Sequence, residues 1–156
     1  MFDRLLPRTL DNHYRGHRAA LGVFAVIVFM KAAMSLNSIF NGRSVATSAD
    51  GIPLDRFTPA GAQAVVTLFA IWGIAHLAIC ALCVVVLVRY RAMVPLMFTL
   101  LLLEHLARRG IVWAMPIART GTPPGLAVNV VLLALMVVGL ALSLRTGGRA
   151  PTTAGR

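Results

Sequence analysis

The chain has 156 residues, 58% of them hydrophobic and 13% charged, with a mean hydropathy of +0.81, whereas an average soluble domain is about 25% charged. Its 15 Lys and Arg oppose 5 Asp and Glu, but the excess sits in short flanks beside apolar runs, which reads as membrane topology and not as a nucleic-acid surface. A chain of this length can supply four spanning helices and little else, so no extramembrane domain with its own core is expected.

Residues 1–18 form a basic segment, expected to lie on the inner membrane surface with Phe2, Leu5, Leu6 and Leu10 toward lipid and Arg4, Arg8, Arg15 and Arg18 toward anionic head groups. The first apolar run, about 19–39, is too long for a signal-peptide core and has no small-residue cleavage site close behind it, so a retained helix is expected. The connection 41–60 holds Asn41-Gly42, Asp50-Gly51 and Pro53, which are turn signals without helix or strand periodicity. A second helix follows over about 62–88. The link Arg89-Tyr90-Arg91 is so short that the third helix, about 92–111, must be its antiparallel neighbour. The next connection carries Pro116, Pro123, Pro124 and Gly125 and is expected to touch the interface at Trp113 and Met115. The fourth helix spans about 126–144, and the Gly/Thr-rich residues 145–156 form a disordered cytoplasmic tail.

The arginines set the direction. Arg4, Arg8, Arg15, Arg18, Arg89, Arg91, Arg145, Arg149 and Arg156 flank one side, and only Arg43, Arg56 and Arg119 the other. The expectation is an all-α integral membrane protein, an up-down-up-down bundle of four transmembrane helices in a bacterial-type inner membrane, with both termini inside.

Depth can be counted from the same anchors. Lys31 lies 13 residues beyond Arg18, His76 lies 13 before Arg89, and Glu104 lies 13 after Arg91. At 1.5 Å per residue each is about 20 Å from the inner boundary. Three helices thus offer an ammonium, an imidazole and a carboxylate at one height. Ser35, Trp72, Arg108 and Asn129 come one turn further out. Glu104 and Arg108 are four apart and share a helix face. The expected cluster is Lys31, His76, Glu104, Arg108 and Asn129, with Lys31 paired to Glu104. Its charges do not balance: Lys31, Arg108 and Arg109 oppose Glu104 alone, the one acidic residue within any span.

Such groups inside a bilayer carry a functional hypothesis by default, and the alternative is that they fix helix register. Three functions are consistent with the pattern. The leading expectation is a non-catalytic accessory or scaffold subunit, joined to a protein partner or to itself through the Glu104/Arg108 layer, with Gly139 and Ser143 as a close-packing stripe. The second is a small proton- or anion-coupled carrier. The third is a haem b electron carrier in which His76 and His105, at similar height on adjacent helices, ligate the iron. Cys80 and Cys83 have redox-motif spacing, but in an apolar setting on the reducing side they read as small buried hydrophobes. Neither a P-loop nor a nucleophile elbow nor a zinc-hydrolase helix is present, so no enzyme is expected, and no metal or other cofactor.

Overall fold

The computed structural model describes residues 11–145. The surface placement expected for Phe2, Leu5, Leu6 and Leu10 and the disorder expected beyond residue 145 lie outside the described residues. Among those described the chain is all helical, with no strand. The four long helices are α1 (Ala19–Phe40), α2 (Pro59–Arg89), α3 (Val94–Ala114) and α4 (Pro124–Leu144). Each matches an apolar run of the sequence, with ends differing by up to three residues.

Local chemistry explains the ends. At the start of α2, Thr58 accepts a hydrogen bond at its Oγ1 from the Gly61 amide (3.2 Å), and Pro59 follows, where a missing N–H is no loss. Pro95 and Pro124 open α3 and α4 in the same way. Consecutive helices alternate in direction. At one end the His17 amide donates to Leu142 O and the Ala92 amide to Asp11 O. Residues 11–18 are thereby tied to the close of α4 and to the α2–α3 turn.

The first connection is more ordered than its composition predicts. A helical turn over Gly42–Ser44 runs into a π-type turn, Val45–Ala49, and a 3-10 turn, Leu54–Arg56, follows. Ala46, Ile52, Leu54 and Ala62 form a small apolar core with Val65, Val66 and Phe69 of α2. Turn residues dominate the composition, but burying Ala46, Ile52 and Leu54 against α2 overrides their local preference. Gly51, at φ 72°, turns its carbonyl toward Thr120, which donates to it from both its amide (2.8 Å) and its hydroxyl (3.2 Å). The two connections at this end are thus clasped together.

The main core draws on all four helices: Phe24, Ile27 and Val28 from α1; Cys80, Cys83 and Val86 from α2; Val94, Met97, Phe98 and Leu101 from α3; Leu132 and Met136 from α4. It fills the half of the bundle nearest the α2–α3 turn. Cys80 and Cys83 are both buried and unbridged there. Phe24 and Phe98 meet edge to face with centroids 5.0 Å apart. The outward faces are also apolar, with Phe29, Leu68, Ile74, Leu103 and Val130 exposed. That is the reverse of a soluble amphipathic helix and suits a hydrocarbon solvent.

Three helices, α1, α2 and α4, are long and apolar enough to cross a membrane. The third, α3, is long enough but carries Glu104, Arg108 and Arg109.

Two close approaches position the rest. Gly73 of α2 lies against α1, where a Cβ would stand 2.9 Å from Ser35 O and 2.9 Å from Ile39 Cγ1. A Cβ on Gly139 would collide with the ring of Phe98. Gly139 and Ser143 are buried inside the bundle, so the close-packing stripe expected on the fourth helix serves α4's own contacts, with Gly139 against Phe98 of α3 and Val23 of α1, and not a partner. The helices are also packed unevenly. The widest surface joins α1 to α2, and α4 packs on α1 and α3, whereas α2 and α3 share little despite their short link.

Candidate functional site

Directly above the apolar core, each helix contributes a polar side chain to one layer. Moving along the bundle, Val28 gives way to Lys31, Cys80 to His76, Leu101 to Glu104 and Leu132 to Asn129. Lys31 Nζ donates to Glu104 Oε2 at 3.1 Å and stands 2.7 Å from His76 Nε2. With Lys31 charged it has no acceptor to offer, so His76 must accept at Nε2 and carry its proton on Nδ1, a tautomer inferred from this contact. Lys31 is only 3% exposed and His76 8%. An ammonium so buried is tolerable only because the carboxylate and the imidazole replace its water. The structure thus brings together the three residues that share one depth in the sequence.

Arg108 completes the layer. Its Nε lies 3.8 Å from Glu104 Oε1, its terminal nitrogen reaches Asn129 Oδ1 at 3.4 Å, and its guanidinium lies 4.9 Å above the Trp72 ring. Asn129 is aimed by its own bond from Nδ2 to Gly125 O (2.8 Å). Trp72 also packs on the His76 ring (centroids 5.4 Å) and edge-on to Phe69 (6.4 Å), so α2 presents an aromatic wall to the arginine.

His105 does not join the Lys31 cluster. It is 2% exposed, with Nδ1 facing Arg108 at 3.4 Å. The pair expected to ligate haem is poorly arranged for it: the Nε2 of His76 that would face an iron faces the Lys31 ammonium. Among the described residues no group of three or more His, Cys, Asp or Glu is placed to hold a metal ion.

Beyond the layer the bundle opens. A chamber of about 280 Å³ lies between α1, α2 and α4, bounded by Lys31, Ser35, Trp72, His76, Arg108 and Asn129 and roofed by Ala49 and Asp50. A larger cleft, about 680 Å³, adjoins it between α2 and α3, and Asp50, Trp72, Arg108 and Asn129 belong to both. The cleft follows from the uneven packing: α2 and α3 are joined at the Arg89–Val94 turn and stay apart toward the other end.

Sequence reasoning missed the residues that the connections contribute, Asp50 and Arg119. Burial raises the Asp50 carboxyl above the ordinary carboxylate range, although Arg119, and less strongly Arg108, pull it down. Asp50-Gly51 was legible as a turn, but nothing in a linear pattern says which way the turn folds. With these residues, four cations (Lys31, Arg108, Arg109, Arg119) and the Asp50 carboxylate line the two cavities, and a second carboxylate, Glu104, stands behind Lys31 and Arg108.

No known family model matches the chain, and no curated protein or solved structure is similar enough to count as a match.

Proposed function

We propose that this chain is a four-span protein of a bacterial-type inner membrane, with both termini in the cytoplasm, and that it binds and carries an anion in the chamber above the Lys31 layer. The observation that carries this reading is the Lys31–Glu104–His76 contact, which puts an exchangeable counter-ion at the floor of a positively biased cavity. An entering anion would compete with the Glu104 carboxylate for Lys31 and Arg108, so taking up the anion and protonating Glu104 favour one another. The contact also supports α3 as a span: its 21 residues reach about 31 Å, and its part-buried carboxylate is paired with Lys31 of α1. The arginine distribution supports the orientation.

A test is flux through reconstituted vesicles. Anion-driven proton movement should appear with the native chain and be lost in Glu104→Gln, which keeps the shape of the side chain and removes its exchangeable charge. Vesicles as tight with the native protein as without it would refute the carrier.

One observation favours a second reading, a non-catalytic accessory subunit: the open side between α2 and α3 could receive a partner helix. Gentle extraction would then recover a larger complex that Arg108→Leu releases. The haem carrier has no comparable support in the histidine geometry.

A further inference from the structure

The cleft between α2 and α3 has features that the chamber does not need. Its walls are largely apolar, with Ile52, Phe69, Leu106, Trp113, Ile117 and Leu126, yet Arg108, Arg109 and Arg119 also line it. The guanidinium groups of Arg109 and Arg119 make no hydrogen bond or close ion pair among the described residues. Arg108 lies 4.9 Å from the Trp72 ring centroid, with Nε toward Glu104 and one terminal nitrogen toward His105 and Asn129, and its other terminal nitrogen has no hydrogen bond among the described residues. A volume of about 680 Å³ is in the usual range for a small-molecule site.

We propose that this cleft binds an amphiphile bearing a phosphate monoester, which enters sideways from the bilayer between α2 and α3. The inference rests on the membrane-embedded anion site proposed above and assigns a ligand class to the cleft that shares Asp50, Trp72, Arg108 and Asn129 with it. Three points of chemistry select that class. The cations around the two cavities exceed the carboxylates by two, a surplus that matches the charge of about −1.5 to −2 on a phosphate monoester better than the single charge of a carboxylate. Guanidinium forks pair bidentately with phosphate oxygens. Aromatic and aliphatic walls on a side where two helices barely touch suit an acyl or prenyl chain that never leaves the apolar phase. Trp113 at the cleft mouth, 87% exposed, sits where such a chain would pass.

The molecule carries its own reporter, because its two tryptophans, Trp72 and Trp113, both line this cleft. The full chain would be placed in phosphatidylcholine nanodiscs, with a small fraction of the lipid replaced by brominated-chain phosphatidic acid in one sample and by brominated-chain phosphatidylcholine in another. Bromine quenches tryptophan only at close range. The expected result is stronger quenching by the phosphatidic acid, with the preference falling roughly tenfold in the double variant Arg109→Gln/Arg119→Gln. Both arginines are exposed, so their loss should leave the fold intact, which an unchanged unfolding temperature in detergent would verify. Inorganic phosphate and glycerol phosphate are tested in parallel. If they displace the brominated phosphatidic acid at low concentration, the site takes a soluble phosphate and the amphiphile is refuted. Equal quenching by the two lipids, or a preference that survives the double variant, overturns the proposal. A partner helix that co-purifies and shields both tryptophans does so too. Flux without lipid preference would defeat this inference alone, and lipid preference without flux would defeat the carrier alone.

Discussion

Lys31 Nζ lies 3.1 Å from Glu104 Oε2 and joins α1 to α3, two helices that otherwise share little surface. Removing Glu104 leaves Lys31 charged and buried, which typically costs about 3–5 kcal/mol, whereas removing Lys31 leaves a carboxylate that is only part-buried, and removing both costs much less. Lys31→Met and Glu104→Gln should each lower the unfolding temperature in detergent, the lysine variant less because Arg108 remains beside Glu104. The double variant should regain part of the loss. Strictly additive effects would mean that the two groups do not interact.

Gly73 and Gly22 make a matched pair. A Cβ at Gly73 would press on the α1 backbone at Ser35, while nothing lies within 4 Å of one at Gly22. Gly73→Ala should destabilise by about 1–3 kcal/mol through overpacking. Gly22→Ala should be neutral or slightly stabilising, because alanine is the better helix former. Equal thermal shifts in the two would argue against the α1–α2 contact.

Asp50 sets an expectation for pH. Its folded-state carboxyl titrates above the unfolded value, so the folded state binds the proton more readily, and ionisation of this group subtracts from stability as pH rises through that range. Asp50→Asn should therefore raise the melting temperature at neutral pH. The gain should vanish as the pH falls below the ordinary aspartate value of about 3.9, where both states are protonated. A gain that persists unchanged into acid would assign it to something other than this carboxyl.

Tyr14 carries a buried hydroxyl with no hydrogen-bond partner among the described residues, and its burial pushes the phenol up to about 12. Tyr14→Phe removes an unsatisfied group and keeps the ring, so stability should be unchanged or rise by up to about 1 kcal/mol. A clear loss in a denaturation curve would show that the hydroxyl has a partner after all.

Topology can be read chemically. Arg56 and Arg145 are exposed on opposite ends, and the native thiols Cys80 and Cys83 are buried. With both termini inside, Arg56→Cys should react with an impermeant maleimide on the periplasmic side, and Arg145→Cys only after the membrane is opened. Labelling of both from one side would overturn the orientation and the depth counted from the arginine anchors.

The sequence by itself determined the helical class, the approximate extent of the four long helices and the height of the Lys31, His76 and Glu104 layer. Those properties are one-dimensional: apolar length matches hydrocarbon thickness, and a fixed rise per residue converts spacing into depth. Which side chains face one another around the bundle is a matter of rotation, and there the tertiary structure decided. It turned His76 toward Lys31 and His105 toward Arg108, and it drew Gly139 inward against Phe98, since a glycine marks a close approach without saying to which neighbour. It also folded the first connection over the open end, bringing Asp50 to the cavities beside Arg119 of the last connection and leaving the cations two in excess. Loop direction depends on contacts between residues far apart in the chain, such as Gly51 with Thr120, and no local periodicity encodes them.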